Sequence, residues 1–99
     1  GALRVNFVLG GNELAEPGQK TVYLCITSPD GYVLSSPDAA SFTFETEQKI
    51  YSAKRDLDYQ NDDLGASIYY TGSGFTAGTY HVELYCEGRL IGQTDVALK

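Results

Sequence analysis

Apolar and polar residues alternate with period two over most of this chain, and no apolar stripe with helical spacing persists anywhere in it. Period two is the signature of a strand, because successive side chains leave the backbone on opposite faces. Leu3, Val5, Phe7 and Leu9 alternate with Arg4, Asn6 and Val8. Val22, Leu24 and Ile26 alternate with Tyr23, Cys25 and Thr27. Leu64, Ala66, Ile68 and Tyr70 form another inward row, and Tyr80, Val82 and Leu84 form the clearest one. Short segments are expected at residues 32–35 and around Phe42 and Phe44, a longer one at 49–59, and a closing strand at 90–98. Loops fall at 10–19, 36–40 and 71–78, and Ser28-Pro29-Asp30-Gly31 is a strong turn signal. Within 49–59, a buried Arg55 would need a partner, so this segment is expected at a sheet edge, where Lys54 and Arg55 discourage pairing with other chains.

The expected fold is therefore all-β: one domain over residues 1–99, a seven-strand antiparallel sandwich. Its expected core is Val5, Phe7, Val22, Leu24, Ile26, Phe42, Ile68, Tyr80, Val82, Leu84 and Val96. A chain of 99 residues buries about two-thirds of its unfolded surface and needs no metal to fold. Tyr supplies eight of the twelve aromatic residues, in keeping with pleated, half-buried surfaces.

Two stretches carry a family resemblance. Residues 17–33, running from Pro17-Gly18 through an alternating strand to Pro29-Asp30-Gly31, resemble a segment of bacterial immunoglobulin-like and macroglobulin-like domains. Residues 77–85, from Ala77-Gly78-Thr79-Tyr80 onward, resemble their penultimate strand, and Asp95-Val96-Ala97-Leu98-Lys99 resembles a last strand. The whole is similar to C-terminal domains of Bacteroides-type coiled-coil proteins labelled as chromosome-segregation or cell-division proteins. The chain contains no Trp, which antibody domains carry beside their disulfide, so the resemblance is to immunoglobulin-like domains in the broad sense. It implies turns and core positions and carries no chemistry with it.

The net charge of -6, with seven scattered basic residues, speaks against nucleic acid and against an anionic membrane surface. No apolar run reaches membrane-spanning length, so no direct membrane insertion is expected. Gly1, without a preceding Met, reads as the scar of a cleaved tag on a domain of a longer protein. That protein is expected in the periplasm, on the cell surface or outside the cell, its targeting signal lying elsewhere.

No catalytic residue is assigned. His81 is the only His; by strand parity it points away from Tyr80, Val82 and Leu84, onto an outer face. Neither a nucleophile elbow nor a phosphate loop is present. Asp56, Asp58, Asp62 and Asp63 are a weak calcium candidate: they lack the EF-hand spacing and its closing Glu, and read first as solvated turn carboxylates. No cofactor is expected. Tyr23, Tyr69 and Tyr85 fall on the parity opposite to their apolar neighbours and form a candidate binding surface. Cross-strand pairing of these rings within one sheet is the plainer account.

Two functions follow. The first is a non-catalytic structural or protein-interaction module with a protein partner or neighbouring domain. The second is a carbohydrate-binding module using outward Tyr residues. A contiguous patch of Tyr23, Tyr69 and Tyr85 favours the second, a scattered placement the first.

Cys25 should face outward, between inward Leu24 and Ile26. For the last hairpin, a two-residue turn at Glu87-Gly88 would set Asp95 opposite Tyr80 and mix apolar with polar rows. A type I turn with a glycine bulge fits better, pairing Leu84 with Leu90, Val82 with Gly92 and Tyr80 with Thr94, with Cys86 at the tip. Two free thiols are then expected; a disulfide formed in an oxidising compartment is the alternative.

Overall fold

The computed structural model describes residues 2–11, 16–35, 40–72 and 75–99. Of the expected loops, positions 12–15, 36–39 and 73–74 lie outside the described residues, as does Gly1.

The alternating segments become eight antiparallel strands, and no helix occurs among the described residues. They are β1 (Ala2–Leu9), β2 (Gly18–Thr27), β3 (Ser41–Phe44), β4 (Glu47–Ile50), β5 (Ala53–Tyr59), β6 (Leu64–Thr71), β7 (Gly78–Cys86) and β8 (Arg89–Leu98). A ribbon of β1 and β6 faces a four-stranded sheet of order β5-β2-β7-β8. Their inner rows close one core: Leu9, Ile68 and Tyr70 from the ribbon meet Val22, Leu24, Ile26, Leu57, Tyr59, Tyr80, Val82, Leu84 and Cys86. Cross-strand pairs align these rows, Val5 with Ile68 in the ribbon and Leu24 with Leu84 at the centre of the sheet. The β3-β4 hairpin lies on the far face of the sheet and makes a third layer with a second cluster, Cys25, Phe42 and Tyr85.

Eight strands stand where seven were expected, and the strands depart from the expected segments in two places. Residues 32–35 contribute only an isolated bridge, Thr27 to Val33, after the expected turn, in which Ser28 O accepts the Gly31 N–H at 2.9 Å and Gly31 has φ 90°. Segment 49–59 breaks at Tyr51 and Ser52 into β4 and β5. Ser52 stays bonded to β2 through backbone and side chain. Its N–H donates to Leu24 O at 2.6 Å, and its hydroxyl accepts the Ile26 N–H at 2.9 Å, standing in for a strand residue beyond the start of β5. Ser52 is a buried polar side chain, 4% exposed. Ser52→Ala would leave the Ile26 N–H without its acceptor, so a loss of about 1–3 kcal/mol is expected in urea unfolding. A change within about 0.5 kcal/mol would mean that water or backbone takes over that bond.

β5 is an edge strand of its sheet. Arg55 lies at that edge, where its guanidinium donates to Ser67 O of β6 at 2.7 Å and ties the ribbon to the sheet along this flank. Of the expected core, Val22, Leu24, Ile26, Ile68, Tyr80, Val82 and Leu84 are buried in the main cluster. Val5, Phe7 and Val96 pack against it half-buried, and Phe42 belongs to the second cluster.

The last hairpin corrects the expected register. Cys86 pairs with Arg89 across the two-residue turn Glu87-Gly88, whose φ values of 53° and 72° are those of a type I′ turn. The bulge lies inside β8, where Tyr85 pairs with Leu90 and Leu84 with Gly92, so Ile91 is the extra residue. The shift puts Tyr80 opposite Val96 and Val82 opposite Thr94, and leaves Asp95 opposite His81 on the outer face despite the tight turn. Cys86 is consequently in the core, fully buried, and not at a hairpin tip.

Candidate functional site

The three outward Tyr residues do not share a surface. Tyr23 and Tyr85 are cross-strand partners on β2 and β7, as their parity requires. Above them sits the β3-β4 hairpin. Phe42 stacks on Tyr23 with centroids 4.4 Å apart and rings within 5° of parallel, and Tyr51 tilts against Tyr23 at 5.2 Å. Phe42 and Phe44 meet Tyr85 at 5.3 and 4.8 Å, and Lys49 Nζ lies 5.6 Å from the Tyr85 centroid. Tyr85 is 3% exposed. Tyr69 stands on β6, opposite Arg4, on the outer face of the ribbon at the other side of the molecule. The pair is thus part of a second core, and only Tyr69 is open to a partner, at 58% exposure. The signal for this layer was present in Phe42 and Phe44, two aromatics on one face of an otherwise polar segment. Such a face needs an apolar surface to cover, and Tyr23, Cys25 and Tyr85 supply it.

Burial sets the electrostatics of this layer. It pushes the Cys25 thiol up to about 11, with the Glu83 charge adding to the effect and Lys49 opposing it. The Tyr85 phenol is raised too, first by burial and then by its hydrogen bond to Glu83. Neither cysteine forms a disulfide, and both are buried. Cys25 is on the hairpin face of the sheet and Cys86 in the ribbon-side core, so the sheet itself separates the two thiols.

Three of the four acidic residues accept hydrogen bonds from nearby groups. Asp56 accepts the Thr21 hydroxyl at 2.6 Å, Asp58 accepts the Gln60 amide at 2.6 Å, and Asp63 accepts the Gly11 N–H at 2.8 Å; Asp62 is exposed in the turn. Among the described residues no group of three or more His, Cys, Asp or Glu is arranged to hold a metal ion.

His81 is on the hairpin face, beyond the reach of the aromatic cluster. Its Nδ1 is 2.7 Å from Asp95 Oδ1 and its Nε2 is 3.6 Å from Glu83 Oε2. The hydrogen bond to Asp95 is the main cause that raises its pKa above the ordinary 6.5, with Glu83 assisting and desolvation opposing. A raised pKa means that the contact stabilises the fold fully below the unfolded value and that this contribution fades as pH rises through the folded one. An NMR titration is expected to place His81 above 6.5, and Asp95→Asn to move it down. An unchanged midpoint in Asp95→Asn would show that the contact is not maintained in solution.

The remaining surface of note is the outer face of the ribbon. Its two strands, of eight residues each, carry a single charged side chain, Arg4. Val8 and Tyr69 stand out from it, 64% and 58% exposed. Between them the face dips over Asn6, Gly65 and Ser67, where the Ser67 hydroxyl donates to Asn6 Oδ1. Parity singled out Tyr69 but not the face around it, because a row of Val8 and small polar side chains reads as ordinary solvent-facing strand.

No curated protein and no solved structure matches the chain. One family model does, described as Domain of unknown function (DUF8428), over residues 1–99, and the chain belongs to that family.

Proposed function

We propose that this DUF8428 domain is a non-catalytic protein-interaction module of a larger bacterial envelope or secreted protein. The observation that carries the reading is the ribbon's outer face. In a chain of net charge -6 it holds one charge, and it exposes Val8 and Tyr69. Interface centres are depleted in charge and enriched in Tyr, and an apolar patch with a polar surround is a common contact surface. The likeness to bacterial immunoglobulin-like domains supports the envelope setting by analogy. The carbohydrate reading loses its platform, since Phe42 takes a face of Tyr23 and the hairpin covers Tyr85.

The test is a photo-crosslinking residue placed at Tyr69 or Val8 in the parent protein in its own cells, with Gln48 on the hairpin as control. One discrete protein adduct is expected from positions 69 and 8 and none from 48. Equal labelling from all three positions would sink the reading. So would a glycan-array signal abolished by Tyr69→Ala, which would move the function to carbohydrate binding.

A further inference from the structure

The sandwich is unequal. A ribbon two strands wide faces a sheet four strands wide. The two close against each other on one flank, where β5 lies against β6 and Arg55 bonds Ser67 O. On the other flank, β1 stands against β7 and β8. A groove of about 220 Å³ opens there, between Val5 and Phe7 on one side and Val82, Leu84, Gly92 and Thr94 on the other. It leads directly into core residues. Along its upper rim β1 pairs only with β6 among the described residues, so alternate N–H and C=O groups on its other edge face outward.

We propose that this flank receives an extended strand of another polypeptide, which adds to the edge of β1 and lays bulky apolar side chains at alternate positions into the groove. The proposal deepens the interaction reading and rests on it. Three features specify the occupant. The free edge offers backbone pairing, which gives affinity, while the groove beneath selects apolar side chains with period two. Gly92 widens the groove, for a Cβ there would meet nothing within 4 Å. Charge supplies the third. Arg4 is the one charge of the ribbon and has no acidic partner among the described residues, so the outward row of the incoming strand should carry an acid beside it. A second copy of this chain fits less well. The edge strand it would bring, β1, carries no acid to set beside Arg4.

The probe is a synthetic eight-residue peptide with Val at alternate positions and Thr or Glu between them, followed by NMR. Binding is expected, with protection of β1 amides. Methylating alternate peptide nitrogens on the paired edge should abolish it. Gly92→Leu, which fills the groove from a position with room for a side chain, should weaken binding at least about tenfold, equivalent to about 1.4 kcal/mol. Arg4→Glu should weaken the Glu peptide and favour one with Lys in its place. No binding at millimolar peptide overturns the strand proposal, and if crosslinks from Tyr69 persist, the interaction reading stands without it. Binding that ignores Gly92→Leu overturns the groove as the site. A concentration-dependent dimer dissolved by Gly92→Leu would make a second copy the occupant and overturn the foreign strand.

Discussion

Leu24→Ala is expected to destabilise the domain by about 2–5 kcal/mol, the range for removing a large aliphatic side chain from a packed interior. Leu24 is fully buried at the middle of β2, the strand that joins β5 to β7. It pairs with Ala53 on one side and Leu84 on the other, so the backbone on both flanks is held by hydrogen bonds and cannot easily collapse into the space vacated. The loss includes the transfer free energy of the missing atoms and a term for the cavity left behind. Small domains are stable by only about 5–15 kcal/mol, so the variant should stand close to its unfolding limit. Urea unfolding should show a lower midpoint with an unchanged slope. A loss under about 0.5 kcal/mol would contradict the central position of Leu24.

Phe42→Ala is the second large effect, with an expected cost of about 3 kcal/mol. Phe42 is 7% exposed and is the side chain through which the hairpin grips the sheet, with its ring against both Tyr23 and Tyr85. Its loss should release the β3-β4 layer first and leave the main core intact, because the ribbon-side cluster shares no side chain with it. Cys25 reports this separately from stability. In the native protein Cys25 is 5% exposed and its thiol lies near Ile50 O at 3.6 Å, its pKa raised to about 11, so no reaction with a thiol reagent is expected at pH 8. In Phe42→Ala one thiol should react while fully buried Cys86 stays protected, and adding Cys25→Ser should remove the signal. Two thiols appearing together would mean that the hairpin and the sandwich unfold as one unit.

The direction of the β2 side chains, and of those on β7 as far as Tyr85, was legible in the sequence. Cys25, Tyr23 and His81 lie on the face opposite Leu24 and Val82, where alternation puts them, because a strand can present its residues in no other way. The turn at Ser28-Pro29-Asp30-Gly31 and the edge position of β5 were legible for the same local reason. The break at Ser52 was not, since Ile50-Tyr51-Ser52-Ala53 contains neither Gly nor Pro, and what bends it is a pair of bonds to Leu24 and Ile26 across the sheet. Nor was the bulge at Ile91, a choice between two registers made by which rows then meet the ribbon.

Parity, however, states a direction and says nothing about depth. Tyr23, Tyr69 and Tyr85 are equally outward by alternation. One ends half-buried under Phe42, one open to solvent and one almost wholly covered. What lies over a strand is set by segments distant along the chain, here the β3-β4 hairpin on one face and its absence from the other. Alternation by itself determined an all-β chain and the two faces of its strands. Only the tertiary structure decided which outer face became a second core, which remained a surface, and which flank of the sandwich stayed open. Those outcomes depend on how many strands each layer holds, and that number follows from long-range pairing that no local pattern encodes.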